Sequence, residues 1–221
     1  MSEIEQGNRA NRGPIWVGLA LILLTLVALA IFAGLQARPR TGNDLPIYGP
    51  VADFTLTNQA GGVVTLADLR GKVWIADIIF TRCAGPCPVM TRHMKDLQDA
   101  LPAASSVKLV TLTTDPEFDT PPVLQAYGKR FGADTNRWMF LTGTKPEIGR
   151  LAIDSLKLTA IEKKPEERDA ANDLFVHSTI FVVVDRQGRL RGVFETTGAG
   201  VDAKQAKSRI LAAVAQLERE S

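Results

Sequence analysis

The sequence predicts an α/β domain built on a mixed β-sheet, preceded by one transmembrane helix. From residue 51 onward, short apolar stretches alternate with helical ones, and the order ends in a strand hairpin and a helix, which is typical of such a domain. Residues 15–35 carry no charged side chain, which predicts the membrane span. We therefore expect an N-terminal tail (1–14), an anchor (15–35), a linker (36–50) and a folded domain (51–221).

The apolar segment has the length of a membrane-spanning helix. Its 21 residues compare with about 20 needed to cross the hydrocarbon core. A cleaved signal peptide is the alternative, but its apolar region is usually about 7–15 residues long. Arginines flank both ends, so the positive-inside rule barely discriminates between the two orientations. The short tail before a large domain favours export, and predicts a single-pass protein of a bacterial-type inner membrane with a periplasmic domain.

The charge balance favours no particular polyanionic partner. Lys and Arg number 26 and Asp and Glu 24, which gives a net charge of +2. The chain has no long basic run and no alternation of basic and aromatic residues, so we expect no nucleic acid partner.

The strands and helices of the domain follow from local patterns. A turn at 59–62 between two short apolar stretches predicts a hairpin. The nearly continuous apolar run 73–80 predicts a strand buried on both faces. Pro121 fits the first turn of a helix that starts at residue 120. In chain order we expect strands 51–56, 63–66 and 73–80, helix 87–100, strand 107–113, helix 120–131, strand 138–141, helix 145–158, strands 175–184 and 189–195, and helix 202–218.

Cys83 and Cys87 are the only cysteines, and they lie where the predicted strand 73–80 gives way to a helix. Residues four apart share a helix face, so the sulfurs can converge on one metal ion or on each other. A helix N-terminus favours the thiolate form. A structural disulfide is the weaker alternative, because so short a loop would contribute only about 1–2 kcal/mol. Thiol redox chemistry and soft-metal binding both remain open.

Four motifs in order resemble a known family. A strand followed by a cysteine pair at a helix start is similar to the thioredoxin fold. The first part of the domain, with Asp53–Leu56 followed by Leu69–Lys72, resembles that of peroxiredoxins and their relatives. The Cys-x-x-x-Cys-Pro run after Phe-Thr, the segment Thr114–Pro121 and the motif Val176–Thr179 resemble the Sco/SenC family of copper chaperones. The order Pro-x-x-x-Thr/Ser-x-x-Cys of peroxiredoxins is absent before Cys83, which argues against a peroxidase.

The resemblance implies a function and a site. Cys83, Cys87 and His177 would bind copper, as Cu(I), Cu(II) or both, in a thioredoxin-like sandwich. The implied function is a membrane-anchored metallochaperone, rather than an enzyme, that delivers copper to a cytochrome c oxidase or helps assemble its copper centre. Expected partners are the copper-bearing oxidase subunit and a copper-donor chaperone or thiol reductant. The alternative is a thiol–disulfide oxidoreductase that uses Cys83 and Cys87 as its redox pair on exported proteins such as that subunit.

Two positions depart from the family pattern. Ala84 stands where the family usually has proline directly after the first cysteine, and Val176 stands where many members have aspartate before the histidine. The three expected ligands are retained, but copper affinity and the choice of partner are affected, because groups that orient a ligand can matter 10–100-fold.

Other polar or sulfur-containing side chains are assigned structural roles. Met90 and Met94 fall at core spacing on their helix, and His93 lies on another face, where we expect exposure to solvent. Asp119 or the next residue is expected to cap the following helix. Asp77, inside an apolar strand, is expected either to support the site or to form a peripheral ion pair.

Overall fold

The computed structural model describes residues 17, 19, 21–29, 45–158, 160–162, 164, 166, 175–177 and 179–220. The chain divides into two compact units, Met1–Asp44 and Leu45–Ser221. In the first unit residues 21–29 are helical. No helix within the described ranges is long and apolar enough to cross a bilayer. The expected tail and residues 36–44 of the expected linker lie outside the described residues.

An eight-stranded mixed sheet organises the second unit. Its spatial order is β1-β10-β9-β4-β5-β6-β2-β3. Strands β4, β5 and β6 are parallel, while β9 runs antiparallel to β4 and β2 antiparallel to β6. The strand bounds are β1 Gly49–Pro50, β2 Thr55–Asn58, β3 Val63–Thr65, β4 Trp74–Ile79, β5 Lys108–Thr113, β6 Trp138–Thr142, β9 Ile180–Val184 and β10 Arg189–Glu195. Strands β7 Ala160–Glu162 and β8 Phe175–His177 form a separate antiparallel pair.

Five α-helices accompany these strands in the described ranges of the second unit. They are α1 Leu66–Leu69, α2 Cys87–Ala100, α3 Pro121–Arg130, α4 Lys145–Gly149 and α5 Ala203–Arg219. Helix α2 starts with proline in its first turn, as the fixed φ of proline allows. Asp202 is the N-cap of helix α5, and its side chain accepts hydrogen bonds from the amides of Lys204 and Gln205.

Two apolar clusters cover the two faces of the sheet. One contains Phe80, Met90 and Met94 with side chains of α3 and α5, and the other contains Trp74 and Ile78 with side chains of α1 and α4. All six residues of β4 are buried, as its continuous apolar sequence predicts. The strand therefore holds a fixed position from which the cysteine loop leaves the sheet.

A buried ion-pair cluster joins the two ends of the second unit. Arg191 donates hydrogen bonds to the carboxylates of Asp185 and Glu220 and to the carbonyl oxygens of Leu45 and Pro46. The side chains of Arg191 and Asp185 are only 4% and 2% exposed. Residues 45–50 of the expected linker consequently belong to this folded unit.

Two predicted elements are broken in the structure. The expected strand 175–184 is wrong as one strand, because Phe175–His177 pairs with Ala160–Glu162 and only Ile180–Val184 joins the large sheet. The expected helix 145–158 changes at Arg150 into a π-helical turn, Arg150–Ser155. That wider turn buries Leu151 and presents the Ser155 hydroxyl to the amide of Ala52 at 3.1 Å.

Candidate metal centre

The two cysteines lie at either end of a short loop between β4 and α2. The amide of Cys83 donates to the carbonyl oxygen of Phe80 at 3.2 Å, which turns the chain as it leaves the strand. The amide of Gly85 donates to Cys83 Sγ at 3.3 Å. Cys87 is the first residue of α2 and follows Pro86 at the N-cap. The loop and the helix start therefore place both thiols at the same end of the sheet.

Neither cysteine forms a disulfide, and both lie within the apolar cluster. Cys83 is 8% exposed and Cys87 is fully buried. The hydrogen bond with the Cys83 thiol, and next burial, raise the pKa of Cys87 well above its usual range. The expectation that the helix N-terminus favours a thiolate is therefore wrong for Cys87. Cys83 is the more exposed of the two cysteines.

A buried carboxylate ties the cysteine loop to the loop after β5. Asp119 accepts hydrogen bonds from the amide and hydroxyl of Thr81 and from the hydroxyl of Thr113. Burial raises the pKa of Asp119. Thr120 occupies the N-cap position of α3 but makes no side-chain capping bond, so the expected capping role is wrong for both residues. Asp119 instead fixes the residues just before Cys83.

A second link joins the same two loops at the surface. The Arg82 guanidinium donates to Asp115 Oδ2 at 2.5 and 3.1 Å, and it lies 4.2 Å from the centroid of the Phe118 ring. The carboxylate side chain is only 8% exposed, whereas the arginine side chain is 42% exposed. Sequence reasoning missed Arg82 and Phe118, because a lone arginine or phenylalanine in a loop carries no pattern.

Polar side chains also approach Cys87 from inside the core. Tyr127 and Thr91 share a hydrogen bond of 2.8 Å between their hydroxyls, and the Thr91 hydroxyl donates to the carbonyl oxygen of Cys87. Asp77 on β4 is fully buried and accepts from the hydroxyl of Thr111 at 2.7 Å. Burial raises the pKa of Asp77 to about 7, so the expected peripheral ion pair is wrong.

His177 is the third residue that the sequence selects. Its backbone ends β8, opposite Ala160, rather than lying in one continuous strand 175–184 as expected. The antiparallel register pairs Ala76 with Val182, so the start of β9 lies at the end of β4 that leads to the cysteine loop. The His177 side chain lies outside the described part of the structure. Among the described side chains, no group of three or more His, Cys, Asp or Glu lies close enough to hold a metal ion.

The core role expected for Met90 and Met94 is confirmed, and the solvent exposure expected for His93 is wrong. Met90 and Met94 are fully buried and pack in the core, as predicted. His93 is only half-exposed rather than solvent-exposed, and its Nδ1 is buried without a hydrogen-bond partner among the described residues. Burial lowers the pKa of His93.

The match to a family model decides the family. The model of SCO1/SenC matches residues 49–214. The chain belongs to the SCO1/SenC family. The resemblance noted from the cysteine, Asp-Pro and histidine motifs is thereby confirmed, and so is the thioredoxin-like fold with a mixed sheet.

Individual SCO1/SenC relatives agree with this result. The SCO1 protein homologue of Bacillus subtilis is 40% identical over 147 residues, which cover 66% of this chain and 73% of the homologue. A Stutzerimonas stutzeri protein, provisionally described as copper-binding, is 29% identical over 150 residues, covering 67% of this chain and 70% of that protein. The structure of BsSco, a member of the Sco family of cytochrome c oxidase assembly proteins, matches with a TM-score of 0.65 and 32% identity over 81% of this chain and 100% of BsSco.

The geometry of this SCO1/SenC domain suits two kinds of sulfur chemistry. Two adjacent thiols supply soft ligands, which Cu(I) prefers, and an imidazole suits copper in either oxidation state. The same two thiols can also close to a disulfide and reopen by exchange.

Proposed function

We propose that this chain is a membrane-anchored copper metallochaperone that delivers copper to a cytochrome c oxidase or helps assemble its copper centre. The observation that carries the proposal is the pair of neighbouring thiols, Cys83 and Cys87, which lie between β4 and α2 and form no disulfide. Membership of the SCO1/SenC family supports the same function. Copper is the cargo of such a protein, so the site must both bind it and release it.

The proposed ligands are Cys83 Sγ, Cys87 Sγ and the imidazole of His177. The thiols give up their protons when copper binds, and the thiolates are soft ligands. The backbone topology supports the third ligand, because His177 precedes the start of β9 by three residues and β9 begins beside the end of β4. Asp119 and Asp115 support the ligand loop through their bonds to Thr81 and Arg82.

The proposed setting is the periplasmic face of a bacterial inner membrane. Residues 15–35 would form the single-span anchor, since they contain no charged residue and include the helical residues 21–29. The copper-bearing subunit of the oxidase would receive the metal, and a copper donor or a thiol reductant would act before it. Export suits the cysteine pair, because disulfides persist in oxidising compartments.

Copper titration of ligand variants tests the metal site. We expect the reduced full-length chain, in a non-ionic detergent, to bind one Cu(I) in competition with a chromophoric chelator. Cys83→Ser and Cys87→Ser should each lose that copper, because two thiolates are needed for tight binding. Urea unfolding of each variant checks that the domain is folded. Retention of the full copper content by both folded variants would contradict the proposed site.

A thiol–disulfide oxidoreductase is the second candidate function. It is favoured by the hydrogen bond between the two thiols and by the exposed fraction of the two residues, which is 8% for Cys83 and 0% for Cys87. A disulfide switch has been identified in the relative BsSco. His177→Ala separates the two functions, since disulfide exchange needs only the cysteines. Unchanged copper affinity in this variant, together with rapid exchange, would favour the oxidoreductase.

A further inference from the structure

A groove runs from the cysteine loop along α3, and neither Cys83 nor Cys87 lines it. Its volume is about 380 Å³. Arg82 and Phe118 form the end beside the cysteine loop, while Tyr127 and Arg130 of α3 line it further along. Since Arg82 immediately precedes Cys83, a chain lying in this groove passes beside the more exposed of the two cysteines.

The groove combines an exposed aromatic ring with one positive charge that no described carboxylate balances. The Phe118 residue is 43% exposed, although it lies in a domain that buries most of its large apolar side chains. Arg82 is neutralised by its ion pair with Asp115. Arg130 stacks over Tyr127, 5.0 Å from the ring centroid, and has no carboxylate partner among the described residues. A ligand with one acidic and one apolar side chain complements this surface.

We propose that the groove docks the cysteine-bearing segment of the client protein, as an extended peptide with an acidic and an aromatic side chain near its cysteine. The proposal rests on the proposed function, since both copper delivery and disulfide exchange bring a client cysteine to Cys83. The acidic side chain pairs with Arg130, and the aromatic side chain packs on Phe118. The groove thus selects the client by charge before any sulfur chemistry takes place.

Thiol–disulfide exchange reports on docking without needing copper. The thiolate of a peptide attacks Cys83 Sγ in the oxidised protein, the bond between Cys83 and Cys87 breaks, and Cys87 leaves as a thiolate that takes a proton from water. The product is a mixed disulfide between the peptide and Cys83. No other oxidant or reductant is required, and mass spectrometry counts the product.

The probes are two capped heptapeptides that differ only in charge. One is acetyl-Glu-Phe-Gly-Cys-Gly-Phe-Glu-amide, and the other carries Lys in place of both Glu. With the oxidised full-length chain at low salt, we expect the acidic peptide to react at least about fivefold faster once the rates are corrected for the thiolate fraction of each peptide. The preference should shrink at high salt, because screening weakens exposed charge pairs.

Charge reversal at the groove and far from it provides the decisive comparison. Arg130→Glu should abolish or invert the preference, whereas Arg150→Glu, an equal change at an exposed residue that does not line the groove, should keep it. Phe118→Ser should slow both peptides but not their analogues with Gly in place of Phe. Equal rates for the two peptides with the wild-type protein, or equal losses in the two arginine variants, would overturn the proposal.

Copper binding is measured separately on the wild-type chain. If the protein binds no copper but the groove prefers the acidic peptide, the metallochaperone function fails and the docking proposal stands. If copper binds and the peptides react alike, the docking proposal fails alone.

Discussion

The carboxyl group of Asp77 should make the stability of the domain depend on pH. The side chain lies on β4, fully buried, with Oδ1 accepting from Thr111 at 2.7 Å and Oδ2 without a partner among the described residues. The Thr111 hydroxyl in turn accepts a hydrogen bond from the indole of Trp138 at 2.9 Å. Removing water from the charged form raises the pKa of Asp77 from 3.8 to about 7.

The direction of the effect follows from proton linkage. The folded chain binds this proton more tightly than the unfolded chain, so the stabilisation is complete below pH 3.8 and is lost as the pH rises through 7. At about 1.4 kcal/mol per pH unit, the interval from 3.8 to about 7 corresponds to about 4 kcal/mol of unfolding free energy. The part of this loss that falls between pH 5 and pH 8 is about 3 kcal/mol.

Asp77→Asn removes the titration while keeping the shape of the side chain. At pH 5 the wild-type carboxyl is protonated and leaves one donor without a partner at Oδ2, whereas the amide of the variant leaves two N–H donors there. The variant should therefore be less stable than wild type at pH 5 by about 1–3 kcal/mol. At pH 8 the gap should close or reverse, because only the wild-type carboxyl then carries a charge.

Urea unfolding at pH 5 and pH 8, in the presence of a phosphine reductant, measures this change. The difference in unfolding free energy between wild type and Asp77→Asn should shift by about 3 kcal/mol in favour of the variant between the two pH values. Asp154→Asn, at an exposed position, is the control and should follow wild type. Parallel pH profiles for wild type and Asp77→Asn would refute the reasoning.

Two further predictions concern packing and buried charge. Arg191→Ala should cost about 3–5 kcal/mol, because it leaves a buried carboxylate without one of its partners, while Arg70→Ala, whose 3.8 Å ion pair is exposed, should cost less than about 1 kcal/mol. Equal losses of unfolding free energy in Arg191→Ala and Arg70→Ala, measured by urea unfolding, would contradict this prediction. Gly128→Ala should cost about 1–3 kcal/mol, because its new Cβ would lie 2.8 Å from the Phe140 ring, whereas Gly149→Ala meets nothing within 4 Å and should gain about 0.5–1 kcal/mol. A shift of both melting temperatures in the same direction would contradict that second prediction.

Local patterns were sufficient to predict the frame that carries the cysteines. The continuous apolar run of β4 identifies a strand buried on both faces, and the regular spacing of Met90 and Met94 identifies the buried face of α2. These two elements meet at the cysteine loop. The position of Cys83 and Cys87 at one end of the sheet could therefore be predicted from the sequence.

Contacts between distant parts of the chain could not be predicted in this way. Asp119 bonds to Thr81, and Arg82 bonds to Asp115, across sequence separations of 38 and 33 residues. Nothing in the local sequence distinguishes a carboxylate that caps a helix from one that bonds to a neighbouring loop. Tertiary packing decides between them, as it does for the pKa of Cys87.

Local sequence patterns also could not predict the path of the chain before β9. Residues 175–184 read as one apolar stretch, yet His177 belongs to the small sheet and Ile180 to the large one. The change of partner depends on β7, which the sequence does not mark as a strand. The histidine motif was found by family resemblance and not by periodicity.

Copper affinity of the two single-histidine variants tests the central claim most directly. His177 and His93 are the only histidines in the chain, so each serves as the matched control for the other. With reduced full-length protein, we expect His177→Ala to lose tight copper binding and His93→Ala to retain it at wild-type affinity. Wild-type affinity in His177→Ala would contradict the proposed site of two cysteines and one histidine.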